Sequence, residues 1–428
     1  MRWINRYKYY ILLLLCTAML VYSTSLSSEQ TQLEQARSAD AFIDSIGVAV
    51  HLNYEDTAYS QYDKIIKPRL QELGIRQIRG SVRIEEIETQ QKFLDLATIG
   101  IRSTLVIDPR RVKTTAEAVK IAKAVAGSVE ALEGPNEWDL RPRLKYEGQG
   151  FPEGVRNFQA ALYSAIKRDS ATSHLAVLSP SLADPNKASE LGSVACDRAN
   201  IHSYPDQDSL PTSGLDEKWL PAARILCPNQ PIIATECGYH NAINRYGVSE
   251  QAAGKYLPRL FLEYFNRGIK RAYNYELIDL KPNRAADEPE LNYGLLRHDG
   301  SPKPAFIAIK NAIALLKEPA GQNSQLDFLE YTLKGNTNKV HHTLLQKRDG
   351  TFYLILWQEV RSYSLRKQRD IFVSDRPLKL ILNTSMSQAT LYQPSYSLNP
   401  IAEYTNPKQI EIQVPDHPLA IALVPTKN

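Results

Sequence analysis

The chain has 428 residues, 43% of them apolar and 23% charged, enough for two domains or one large domain with an appendage. Its formal charge is +4, but Arg2, Arg6 and Lys8 lie within the first ten residues, leaving +1 (4 minus 3) on the rest. That near-neutral body argues against a nucleic-acid partner, which needs a basic footprint to neutralise phosphate, and gives no reason to expect a strongly acidic polymer.

The basic start runs into Tyr9–Tyr22, mostly apolar and shorter than the roughly 20 residues that span a bilayer. Ser23-Thr24-Ser25 then supplies small residues for cleavage, so residues 1–25 read as a secretory signal peptide. The expected location is secreted, or in the cell envelope or periplasm. No membrane span is expected in the mature form unless the signal is retained as an anchor.

After a polar lead segment over 26–41, short apolar runs alternate with amphipathic helical patterns. Strand candidates are Ile46–Leu52, Ile75–Val82, Thr104–Ile107, Val129–Leu132, Leu175–Ser179, Ala199–His202, Ile232–Thr235 and Ala272–Tyr275. Helices are predicted at Tyr62–Leu73, Ile84–Ala97, Ala116–Ala126, Val155–Lys167, Glu217–Ile225, Ser249–Arg267 and Pro304–Leu316. Eight strand–helix units close naturally into a barrel, because parallel strands need crossover helices. An open doubly wound sheet is the alternative, but it usually carries a glycine-rich phosphate loop after its first strand. Here that place reads His51-Leu52-Asn53-Tyr54-Glu55.

The fold class is therefore α/β, a (β/α)8 barrel over 42–320, followed by a small all-β sandwich over 325–428. From Asp327 onward, alternating runs at Phe352–Trp357, Leu378–Leu382, Ala389–Tyr392 and Ile410–Val414 carry that reading. Gly321-Gln322-Asn323-Ser324 is the expected linker, and the sandwich is expected to pack on the barrel. His341-His342 reads as a solvated strand pair.

Past the signal only Cys196, Cys227 and Cys237 remain, with no CxxC or paired His/Cys spacing, so neither a disulfide scaffold nor a metal site is expected. Cys196 and Cys227 fall shortly before strands six and seven, near the lower face of neighbouring strands. They are predicted to form a disulfide, and Cys237 to be a buried free thiol.

In such barrels the chemistry lies at the C-terminal ends of the strands. Those ends carry His51, Arg79, Asp108, Asn136-Glu137-Trp138, His202-Ser203-Tyr204, Glu236 and Tyr275-Glu276. Packing alone would not select so many polar residues there. Glu137 ends the fourth strand and Glu236 the seventh.

This constellation resembles the clan A retaining glycoside hydrolases, which end strand four with Asn-Glu and strand seven with Glu. The likeness extends to Arg79 ending strand two, to His202 and Tyr204 after strand six, and to the segment Gly294–Ala305 with its Pro-Lys-Pro-Ala. It spans residues 42–318. Many members place a tryptophan at the end of strand eight, where this chain has Tyr273-Asn274-Tyr275-Glu276.

The resemblance implies an enzyme that cleaves O-glycosidic bonds of a poly- or oligosaccharide, with Glu236 as nucleophile and Glu137 as acid/base. Retention needs two carboxyls about 5–5.5 Å apart, one ionised and one protonated. Arg79 and the Tyr204 hydroxyl would keep Glu236 ionised, and Asn136 would hold the sugar 2-hydroxyl. Trp138, His202, Tyr275 and His51 complete the expected substrate contacts, Trp138 as a stacking platform; for His51 a core role weighs equally. Glu133 reads as a structural carboxylate paired with Arg79. The loops Leu140–Glu153 and Asp279–Leu291 are expected to shape the cleft. No cofactor is expected. A non-catalytic carbohydrate-binding or envelope protein on the same barrel, and a transglycosylase, are the alternatives.

Overall fold

The computed structural model describes residues 31–205, 210–243, 246–281, 286–319 and 325–426. The expected signal peptide and the linker Gly321–Ser324 lie outside the described residues, as do the start of the lead segment and part of the Asp279–Leu291 loop.

The chain opens with β1 (Thr31–Gln35) and β2 (Arg37–Ser38), then enters the barrel. The barrel strands are β3 (Ile46–Ala49), β4 (Gln77–Gly80), β5 (Arg102–Val106), β6 (Val129–Glu133), β7 (Ala176–Leu178), β8 (Ala199–His202), β9 (Ile232–Cys237) and β10 (Arg271–Asn274). They pair in parallel, in the order β7-β6-β5-β4-β3-β10-β9-β8. The ring closes between its outer members by the parallel bridge Leu178–Arg198 and the bond from Ser179 N to Arg198 O, 3.0 Å. All eight expected strands are present, most differing at their ends by one to three residues.

Helices cover the outside. Ser249 caps Glu250–Asn266 by accepting from Ala252 N, and Pro304 opens Pro304–Leu316, where its missing N–H costs no bond. Tyr273, fully buried, fills the barrel interior and bonds Thr104 Oγ1 at 2.8 Å. The neighbouring strand β3 must carry glycine beside it: a Cβ on Gly47 would lie 2.4 Å from the Tyr273 ring.

The C-terminal part is a sandwich of two sheets. Its strands are β11 (Phe328–Gly335), β12 (Val340–Gln346), β13 (Phe352–Gln358), a small hairpin of β14 (Tyr363–Ser364) and β15 (Arg369–Asp370), then β16 (Arg376–Leu382), β17 (Met386–Tyr392), β18 (Ala402–Thr405), β19 (Gln409–Val414) and β20 (Leu419–Pro425). One sheet runs β1-β11-β16-β19 and the other β18-β17-β20-β13-β12-β2. The polar lead therefore supplies an edge strand to each sheet. Along β1 exposed and half-buried residues alternate, as at an edge facing solvent on one side.

The sandwich packs on the barrel as expected. Trp357, Ile355 and Tyr353 share one hydrophobic cluster with Phe261, Phe265 and Ile309 of the barrel helices. Fully buried Arg259 crosses the junction to Glu359, with Nη2–Oε2 at 2.6 Å. His341 and His342 lie half-exposed on β12, as a strand pair, but each also has a carboxylate partner. His341 Nδ1 lies 2.6 Å from Glu263 of the barrel and His342 Nε2 lies 2.9 Å from Glu34. Both are paired because strand β12 lies against the barrel and beside the lead. Cys196 and Cys227 form the predicted disulfide, with Cα atoms 6.2 Å apart, and Cys237 is a buried free thiol. Among the described residues, no helix is long and apolar enough to cross a membrane.

Candidate active site

The fourth barrel strand ends at Glu133, and Gly134-Pro135 carries the chain alongside the segment after β7. Ser181 N donates to Pro135 O and Glu137 N donates to Ser181 O, both at 3.2 Å. Gly134 is required by crowding: a Cβ there would lie 2.1 Å from Gln159 Oε1. Gln159 is held in place by donating to Leu178 O and Ala195 O.

Glu137 sits in the left-handed region, φ 54° and ψ 44°, which costs a non-glycine residue about 1–3 kcal/mol. Asp108 holds this turn in shape. Its carboxylate accepts from Asn136 N at 2.9 Å, from Trp138 Nε1 at 3.1 Å, and from Arg110 Nε at 2.7 Å. Asp108 is thus an organiser of the Asn-Glu turn, a role the sequence pattern alone did not reveal.

Trp138 is corrected by the structure. It is 2% exposed and packs among Val155, Leu182, Leu191 and Leu226, so its ring does not present a face to the cleft. The turn after Glu137 rotates it towards the hydrophobic gap between helices, where its indole N–H finds Asp108.

Arg79 ties the mouth together. Its Nε and Nη2 donate to Glu133 at 2.9 and 2.8 Å, Nη1 donates to Glu236 at 2.5 Å, and Nη2 also reaches Asn136 Oδ1 at 2.7 Å. The Asn136 amide Nδ2 is left to donate elsewhere. Tyr204 Oη donates to the second Glu236 oxygen at 2.7 Å. Glu137 and Glu236 each bring a carboxylate oxygen, and His202 a ring nitrogen, into one cluster within 4.8 Å. Such atoms could ligate a cation. Both Glu236 oxygens, however, already accept hydrogen bonds, and the Arg79 guanidinium beside them repels positive charge.

His202 bridges the two halves, with Nδ1 2.7 Å from Glu137 Oε1 and Nε2 3.0 Å from Thr235 Oγ1. The Thr235 hydroxyl donates to Asn200 Oδ1, so its oxygen accepts from His202 and Nε2 carries a hydrogen. The proton of interest therefore lies between Nδ1 and Glu137.

Burial opposes charge on His202, but Glu236, Glu133 and Glu137 around it push the imidazole up to about 10. Burial would raise Glu137, yet the His202 bond and charge outweigh it and hold the carboxyl below its usual range. Glu133 behaves alike: burial raises it, while Arg79 and His202 bring it to about 2. The proton that the acid role of Glu137 requires is thus held on the His202–Glu137 pair.

Aromatic rings line the opposite wall. His51 stacks on Tyr54 with centroids 4.4 Å apart and meets Tyr275 edge-on at 5.5 Å. Tyr293 follows, 5.3 Å from Tyr275, 5.6 Å from Tyr204 and 5.2 Å from His240. Tyr54, Tyr293 and His240 come from loops and had no periodic signal to mark them. The Pro-Lys-Pro-Ala segment acts at a distance: buried Lys303 donates to Asp279 Oδ1 at 2.8 Å and Asn241 Oδ1 at 3.0 Å, tying the loops after β9 and β10. Cys237 donates to Tyr273 O, and burial pushes its thiol up, leaving it unreactive beside Glu236.

No family model matches the chain, and no curated protein matches it by sequence. Among solved structures it is similar to a family 39 glycoside hydrolase from the gut symbiont Bacteroides cellulosilyticus WH2, at TM-score 0.58 and 15% identity, covering 90% of this chain and 82% of that one. It is also similar to a glucosidase from Croceicoccus marinus, at TM-score 0.62 and 10% identity, covering 93% and 99% respectively. Identities this low speak for architecture alone, and the chain therefore carries a fold found among glycoside hydrolases, a (β/α)8 barrel with a C-terminal sandwich.

Proposed function

We propose that this chain is an exported retaining glycoside hydrolase that cleaves a poly- or oligosaccharide by double displacement. The carrying observation is the pair Glu137 and Glu236, facing each other across the mouth with carboxylate oxygens within 4.8 Å. That separation suits a covalent intermediate, since an intervening water would need carboxyls about 6.5–9.5 Å apart.

Glu236 is the nucleophile. Arg79 and Tyr204 keep it ionised and aim its oxygens. Glu137 is the acid/base, drawing on the proton it shares with His202. Formation of the glycosyl-enzyme removes the Glu236 charge that helps hold this proton, so the pair releases it more readily and Glu137 can activate water. Asn136 donates its free amide to the sugar 2-hydroxyl. The wall of His51, Tyr54, Tyr275 and Tyr293 supplies apolar faces for a sugar ring. Export rests on residues 1–25; recovery of the protein in the cytoplasmic fraction alone would overturn that part.

A panel of 2-deoxy-2-fluoro glycosides tests the chemistry by intact mass and peptide mapping. One sugar mass on the peptide containing Glu236 is expected. Labelling elsewhere, or a Glu236→Ala variant that hydrolyses as well as wild type, would overturn the assignment.

A further inference from the structure

Beneath the cleft lies a carboxyl that the double displacement does not use. Glu276, the residue after Tyr275, is fully buried. Its Oε2 accepts from the Tyr59 hydroxyl at 2.9 Å, while Oε1 has no partner. Beside it stands His51, whose buried Nε2 also lacks a partner and lies 3.4 Å from Glu276 Oε2. That is a few tenths of an ångström beyond a full hydrogen bond. A buried imidazole nitrogen left without a partner is costly unless the carboxyl beside it supplies a hydrogen.

We propose that Glu276 is a permanently protonated carboxylic acid whose hydrogen is directed at His51 Nε2, locking His51 as a neutral Nδ1–H donor beneath the substrate. The role is that of a positioning residue, and it rests on the glycoside hydrolase reading only for the identity of the substrate.

The alternative is an ion pair, and the surroundings oppose it from both sides. Arg79 and Arg111 face His51, so an imidazolium there would meet two cations. Asp279, Glu290 and Glu236 face Glu276, so a carboxylate there would meet three carboxyl groups. Tyr59, Tyr54 and Tyr275, packed around the pair, are neutral phenols and compensate neither charge. Burial acts in the same sense, raising Glu276 well above a normal carboxyl and bringing His51 down to about 3, with the two arginines adding to the fall. A neutral Glu276 also spares the nucleophile another negative neighbour.

A hydrogen on Glu276 Oε2 then satisfies the orphaned His51 Nε2 without a charge being created. Proton on Nδ1 and acceptor at Nε2 is the tautomer this hydrogen bond selects. His51 would present that donor beside Tyr54, on which it stacks, and Tyr275, which it meets edge-on, where the sugar is expected to lie.

Two spectroscopic measurements on the ligand-free full chain test this without any substrate, so they stand or fall separately from the fluoroglycoside labelling. In the first, the infrared difference spectrum between wild type and Glu276→Gln at neutral pH should show the loss of a protonated-carboxyl C=O band. In the second, nitrogen-15 NMR of histidine-labelled wild type, with the His51 signals identified by their absence in His51→Gln, should show a neutral Nδ1–H ring that does not titrate between pH 5 and 8. A wild-type His51 that titrates near 6.5, the ordinary value for histidine, or that appears as imidazolium at neutral pH, would overturn the proposal. So would an infrared spectrum unchanged by Glu276→Gln. If that variant does not fold, the wild-type NMR decides alone.

Discussion

Two of the buried arginines, Arg259 and Arg79, have surroundings that differ. Arg259, at the junction of barrel and sandwich, is fully buried and closed off: Glu359 balances its charge at 2.6 Å, and Val360 O and Asp416 O take its remaining arm. Arg79, at the barrel mouth, is 4% exposed and serves Glu133 and Glu236, with Glu137 in the same charge cluster. One site is balanced and inert. The other has more carboxyls than permanent cations, so it must hold a mobile proton, which His202 and Glu137 supply. A surplus of like charge is poor for stability and useful for acid/base chemistry.

The largest expected effect separates the two sites by activity. Glu236→Gln should lower kcat by roughly 10⁴–10⁶-fold on any aryl glycoside the wild type cleaves, as removal of a nucleophile does elsewhere. Its thermal midpoint should hold or rise, because the mouth loses a carboxylate it has in excess. A collapse in that midpoint would mean that the mouth is structural in the way the junction is.

At the junction the outcome should reverse. Arg259→Met leaves Glu359 buried without its cation and should cost about 3–5 kcal/mol in urea unfolding, with kcat of the folded fraction unchanged. Adding Glu359→Leu should recover most of the loss, since a buried pair replaced by apolar groups is often near neutral.

Acid should act mainly at the mouth. Glu133 is held at about 2 when folded, against the ordinary 4.5 of an unfolded chain, so its contribution is present above pH 4.5 and is lost as pH falls towards 2. The ceiling on that loss is about 3 kcal/mol. Held at about 10, His202 gives the opposite limb: its contribution is full below about 6.5 and fades as pH rises through 10. Urea titrations across pH should flatten on the acid side in Glu133→Gln. A stability that stays level from pH 5 to 2 in wild type would contradict the Glu133–Arg79 pairing.

The smallest effect concerns Trp138. Trp138→Phe removes the bond to Asp108 and should cost about 1 kcal/mol, with little change in KM. A large rise in KM would return the indole to the cleft and undo its placement in the packing cluster.

The eight barrel strands were legible because each carries an apolar or β-branched run between helices of helical period. Polar residues at their ends then marked Arg79, Glu137, His202, Tyr204 and Glu236 in one dimension. The lead was not read as strand, since a short, largely polar edge such as Thr31–Gln35 has too few apolar residues to show alternation. Leu419–Pro425 was missed for the opposite reason, being buried along most of its length, which hides the period of two.

What the sequence determined by itself is the order of the elements and the types of residue at their ends, because periodicity and turn chemistry are local. Only the tertiary structure decided which of those residues meet. Asp108 gripping the turn, Trp138 turned into the core, the proton shared by His202 and Glu137, and Glu276 facing His51 all depend on side chains far apart in the chain. Their roles follow from burial and neighbouring charge, and the closing of the barrel sets both.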